Sequence, residues 1–128
     1  MSQENLDVIR SAFERFLATG EPAWDTTDPE VEVYDHDIMD GSEYRGREGV
    51  AQWLADWAAA WSSFAMELVE VIDGGDCVVA VVRMRAKGAS SGIEVDREDA
   101  MLYRFRTGRI ASLDYYNSRD QALGAAGL

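Results

Sequence analysis

The chain has 128 residues, 47% of them hydrophobic, enough for a single domain to bury a core without cross-links. Its net charge of −12 argues against nucleic acid and anionic membrane surfaces, because binding to phosphate needs clustered Lys and Arg. A lone cysteine, Cys77, excludes an internal disulfide, and no apolar run approaches the roughly 20 residues that cross a bilayer.

Cys77 lies in the apolar run CVVAVV and reads as a buried, reduced, structural thiol. The opening MSQENLD carries no basic-then-apolar leader, so the expectation is a cytoplasmic protein.

The first helix is predicted from Ser2 to Gly20, where Leu6, Ile9, Phe13, Phe16 and Leu17 form an apolar stripe. After a short stretch around Trp24, Asp28-Pro29 blocks helix continuation and leads into a strand from Val31 to Tyr34. Val31 and Val33 point inward, and alternation gives Asp35 their side. His36 and Asp37 follow, then a turn at Tyr44-Arg45-Gly46. A second helix is predicted from Arg47 to Trp61, with Val50, Trp53, Leu54, Trp57 and Trp61 on its apolar face. Those rings serve either core packing or the wall of a ligand cavity.

The rest reads as consecutive hairpins: Phe64 to Ile72, Cys77 to Ala86, Ile93 to Arg106 and Arg109 to Tyr116, with Gly-containing turns between them. In the second of these, Val78, Ala80, Val82 and Met84 make the inward face and leave Arg83 and Arg85 outward, where cross-strand pairing with Glu67 or Glu70 is expected. Asp99 shares its side with Met101, Tyr103 and Phe105, and a register slip of one residue would reverse that. A short helix from Arg119 to Leu123 closes the chain. Helices first and a long meander after argue for an α+β domain with helices on one face of a curved sheet.

Several patterns in this order resemble the NTF2-like superfamily, and within it the SnoaL-like proteins related to ketosteroid isomerases and polyketide cyclases: VEVYDHD before YRGREGV, then WLADWAAAW, VIDGGDCVVAVVRMRAKG, YRFRTGRIASLDYY and SRDQALGAAGL. The resemblance spans nearly the whole chain. It implies a cone-shaped curved antiparallel sheet with the N-terminal helices on its concave face, an opening for a small, mostly apolar molecule, no cofactor, and pairing of two copies through the outer sheet face.

A fold of this kind hosts unrelated activities, so function rests on the site. In the related ketosteroid isomerases a carboxylate at the end of the first strand moves the proton, a position that Asp35 matches with Asp37 as alternative. The helix-one tyrosine of those enzymes falls on Phe13, and their oxyanion-binding aspartic acid on Met101, so both hydrogen-bond donors are missing. Limonene epoxide hydrolases need an Asp-Arg-Asp set. Their second aspartate falls on Tyr115 rather than Asp114, and Arg83 and Arg85 point outward. The polyketide cyclase pattern asks for less: one carboxylate in an apolar cavity, where desolvation raises a carboxylic acid towards neutrality.

The candidate acid/base groups are therefore Asp35, Asp37 and Asp99, inside a wall of Trp53, Trp57, Val82, Met84, Met101, Tyr103 and Tyr115, with Asn117 on the parity of Tyr115. Metal binding by His36 would require the loop to bend it towards the flanking aspartates, against strand alternation. A binding module that uses the cavity without proton transfer, and a dimerisation domain with a filled cone, are the other functional classes.

Overall fold

A computed structural model describes residues 2–36 and 42–128 of the chain. Helix α1, Ser2–Thr19, follows the apolar stripe and buries Ile9 and Phe13. It stops at Gly20, whose φ of +76° is open to glycine and lets its N–H reach the Phe16 carbonyl at 2.7 Å. A 3-10 turn, Trp24–Thr26, leads into β1, Thr27–Asp35. Next come β2, Ser42–Arg45, and helix α2, Gly46–Ala59. Strands β3, Trp61–Asp73, β4, Cys77–Gly88, β5, Glu94–Arg106, and β6, Arg109–Tyr116, precede helix α3, Arg119–Ala126.

Those bounds correct the sequence reading at several points. Trp61 is the first residue of β3, not the last of a helix: it pairs with Gly88, and the Ala60 carbonyl accepts the Ala89 N–H at 3.0 Å. Strand pairing there overrides the helical run of alanines. Thr27 already belongs to β1, and the ladder to β6 is irregular between Thr27 and Glu32, around Pro29, which has no N–H to give.

The sheet has the order β2-β1-β6-β5-β4-β3 and is curved and unclosed. The pairings are antiparallel except β1 with β6, which is parallel and sets Asp35 beside Tyr115. Helices α1 and α2 pack on the inner face, as expected from the apolar stripes. Val78, Ala80 and Val82 join that inner core, while Cys77, Val79 and Val81 join a second one with Ala100, Leu102 and Ala122 on the opposite face. Helix α3 covers part of that outer face, so the helices are not all on one side. It starts at Ser118, whose hydroxyl accepts the Gln121 N–H at 3.0 Å. The β4 and β5 ladder runs in register from Cys77–Arg104 to Lys87–Glu94 without a bulge, which fixes Asp99 on the inner face.

Candidate functional site

A cavity with about 140 Å³ of accessible space lies between the two inner helices and the sheet. From α1 come Ala12, Phe13 and Phe16, and from α2 Val50, Trp53, Leu54 and Trp57. The floor is Val31 and Val33 of β1, Met101 and Tyr103 of β5, and Ile110, Leu113 and Tyr115 of β6, with Met66 of β3 at one side. Alternation produces this floor: inward residues of three neighbouring strands fall into rows, with Val33, Leu113 and Tyr103 in one and Asp35, Tyr115 and Met101 in the next.

Of the residues read from the sequence as wall, Trp53, Trp57, Met101, Tyr103 and Tyr115 line the cavity. Val82 and Met84 do not. Both are fully buried on the inner face, but Val82 stands in register with Asp99, and Met84 lies between Met66 and Arg97, away from the open space. Asn117 is exposed beyond the end of β6, because the chain there turns to Ser118 and α3 instead of continuing the alternation. Asp37 lies outside the described residues.

Two carboxylates are buried beside the cavity without being part of its wall. Asp35 is 2% exposed, and its Oδ2 accepts the Trp53 indole N–H at 2.8 Å. Asp99 is fully buried; the Tyr115 hydroxyl donates to its Oδ2, and Arg97 Nε lies 2.8 Å from its Oδ1. In each case an aromatic donor that lines the cavity holds a carboxylate behind it. Trp53 and Tyr115 also meet edge to face, with centroids 6.0 Å apart, so the two units touch. The Tyr115–Asp99–Arg97 cluster is a grouping the sequence reading missed in its full form. Its signal was the spacing of Arg97, Asp99 and Met101 on the inward side of β5.

Two other polar groups of the wall have partners of their own. The Thr27 hydroxyl donates to the Ala23 carbonyl at 2.8 Å. Tyr103 donates to the Met101 sulfur at 3.4 Å, and burial pushes its phenol well above the ordinary tyrosine value.

His36 faces the outer side. Its Nε2 meets Asp114 Oδ1 at 2.9 Å, its ring stacks on Tyr116 at 4.5 Å, and Arg104 holds the other Asp114 oxygen at 3.3 Å. Among the described residues, no group of three or more His, Cys, Asp or Glu is placed to hold a metal ion. Glu67 stands opposite Arg83 across the β3–β4 ladder, as expected, but the ion pairs of Arg83 and Arg85 go to Asp96 on β5, while Glu70 is taken by Arg119. Among the described residues, no helix is long and apolar enough to cross a membrane.

The family model for the SnoaL-like domain matches residues 9–113. The chain belongs to the SnoaL-like family. Solved structures agree on the fold. Bal32a, from a soil-derived mobile gene cassette, superposes with a TM-score of 0.79 at 16% identity, over 94% of each chain. TerC, co-crystallised with polyporic acid, gives 0.77 at 17% identity, over 98% of this chain and 99% of that one. A protein of ketosteroid isomerase-like fold from Catenulispora acidiphila DSM 44928, in complex with trimethylamine, gives 0.71 at 21% identity, over 94% and 92%. Comparison with curated protein sequences finds no match. At these identities the structures establish the SnoaL-like and NTF2-like architecture, and activity has to be argued from the cavity.

Proposed function

We propose that this SnoaL-like protein binds a small apolar molecule and moves a proton on it, as a cofactor-independent isomerase or cyclase would, with Asp35 as the acid/base. The observation that carries this reading is the Asp35 carboxylate, 2% exposed at the inner end of β1 and fixed by the Trp53 indole of the cavity wall. Burying a carboxylate costs several kcal/mol unless it is well bonded, and asparagine would avoid that cost. Trp53 lines the cavity and Asp35, to which it is bonded, does not. Reaction therefore requires its indole to turn aside, exchanging its bond to the carboxylate for a contact between the carboxylate and the ligand. The base then takes a proton from carbon next to a carbonyl and returns it to another atom of the same molecule.

Size limits the substrate. A cavity of roughly 150 Å³ accommodates benzene, and drug-sized ligands need roughly 300–1,000 Å³. With about 140 Å³, the accessible space matches a single ring or its open-chain equivalent. That related folds were crystallised with polyporic acid and with trimethylamine supports the cone as a small-molecule site.

The test is exchange of the α-hydrogens of cyclohexanone in D2O, followed by proton NMR. Asp35→Asn should slow protein-catalysed exchange by about 100-fold or more. Equal exchange by a folded Asp35→Asn variant overturns the assignment.

A second reading, a binding module without proton transfer, is favoured by one observation: neither Asp35 nor Asp99 is among the residues that line the cavity. Tight binding of the ketone with exchange no faster than in buffer would select it.

We also propose a cytoplasmic homodimer paired through the outer sheet face, on the strength of the family resemblance and the buried reduced thiol of Cys77. Sedimentation showing a single-chain mass at micromolar concentration overturns the dimer.

A further inference from the structure

Among the hydrogen-bonding side chains that line the cavity, Trp57 is only half-buried, and three of the others give their hydrogen to oxygen: Trp53 to Asp35, Tyr115 to Asp99 and Thr27 to the Ala23 carbonyl. Tyr103 gives its own to sulfur, at 3.4 Å from Met101. A thioether is a weak acceptor, so the desolvated hydroxyl is poorly repaid by this bond. Phenylalanine would fill the same space without that penalty. The ring is held in place by Phe13, edge-on with centroids 6.4 Å apart. Burial keeps the phenol protonated, and therefore a donor, across the physiological range.

Strand register places this donor relative to the buried carboxylate. Tyr103 is one inward row and two strands from Asp35, across Leu113 and Tyr115. With strands ~4.8 Å apart and ~6.8 Å between successive inward residues, their backbones are roughly 12 Å apart. The Tyr103 hydroxyl leans towards the Asp35 row, since it reaches Met101.

We propose that the Tyr103 hydroxyl is the recognition group of the cavity, and that the ligand is a neutral, ring-sized apolar molecule carrying one accepting oxygen, a ketone or lactone carbonyl, which replaces the Met101 sulfur as its partner. Anions are disfavoured by the buried Asp35 and Asp99 nearby. The inference rests on the reading of the cavity as a ligand site, but not on proton transfer by Asp35.

The experiment compares cyclohexanone with methylenecyclohexane, which differ in C=O against C=CH2, by NMR titration of wild type and Tyr103→Phe. The variant should weaken the ketone about five- to tenfold, the worth of one net hydrogen bond, and leave the alkene within about twofold. The C=O stretch of bound cyclohexanone should lie at lower wavenumber in wild type than in Tyr103→Phe. Met101→Leu, which removes the sulfur acceptor and keeps the volume, should retain or increase the preference for ketone over alkene. Equal effects on both probes, an unshifted C=O band, or loss of that preference in Met101→Leu overturns the inference. If neither probe binds wild type, the ligand-site reading falls with it. If the ketone preference follows Tyr103 while Asp35→Asn leaves exchange unchanged, only the proton-transfer reading falls.

Discussion

The indole Nε1 of Trp53 donates to Oδ2 of Asp35 at 2.8 Å, so a ring of the cavity wall and the carboxylate behind it form one bonded unit. Removing either half changes both the packing of α2 on β1 and the state of the buried acid. Trp53→Phe keeps an aromatic ring in the wall but withdraws the donor from an acceptor that water hardly reaches. The expected loss is about 1–3 kcal/mol in urea unfolding, with no change of fold by circular dichroism.

Asp99 and Arg97 should behave as a coupled pair. Arg97→Met leaves a fully buried carboxylate without its cation, and should destabilise by about 3–5 kcal/mol. Adding Asp99→Leu removes the stranded charge, so the double variant should be more stable than the sum of the single losses predicts. A double-mutant cycle by urea denaturation reads the coupling; simple additivity would show that the ion pair is not what stabilises this part of β5.

Acid should act through Asp96 on the outer face. Arg83 donates to both of its oxygens at 3.0 Å, and this bonding holds the carboxyl below its ordinary value of 3.8. A depressed folded-state value means that the stabilisation is present above the unfolded value and lost as pH falls through the folded one. Asp96→Asn should therefore lower Tm at pH 6, and the two proteins should converge as pH falls below 3.8 and through the depressed folded-state value. Because the pair is exposed the difference at pH 6 will be small and should shrink further in salt. A difference that grows on acidification would contradict this.

Cys77 should be silent towards thiol reagents. It is buried under α3, and burial raises its thiol above the ordinary value, so little thiolate is present at neutral pH. Reaction with an aromatic disulfide reagent is expected only on unfolding, at one thiol per chain. Rapid labelling of the native protein would mean that α3 detaches readily.

The inward faces of β1, β4 and β5 were legible because alternation over strands of 9, 12 and 13 residues leaves little freedom in parity; it placed Asp35 and Asp99 inward and Arg83 outward. The rings at 53 and 57 were legible for the same reason on a helix. Partners were not. A period of two says which way a side chain points but not which strand lies alongside, so the β1–β6 pairing, and with it the contact of Asp35 with Tyr115, was invisible. The diagonal bond from Tyr115 to Asp99 depends on the register of β5 against β6. The strand at 42–45 is short and polar, with no hydrophobic alternation to announce it. Val82 and Met84 point the right way, yet the cavity lies over other strands, and parity alone carries no depth along the cone.

The parallel ladder between β1 and β6 has a consequence for how the protein comes into being. It joins strands more than half the chain apart, as the bond between His36 and Asp114, 78 positions distant in 128, illustrates. Loop closure of that length must occur before the contact rewards it, which slows folding relative to the local hairpins. During synthesis the meander of β3, β4 and β5 can form as it emerges, while β1 waits unpaired on that edge until β6 has left the ribosome. Asp35 and Tyr115 meet only at that last step, so the cavity is completed late, and a chain ending before residue 109 would hold most of the sheet but no site.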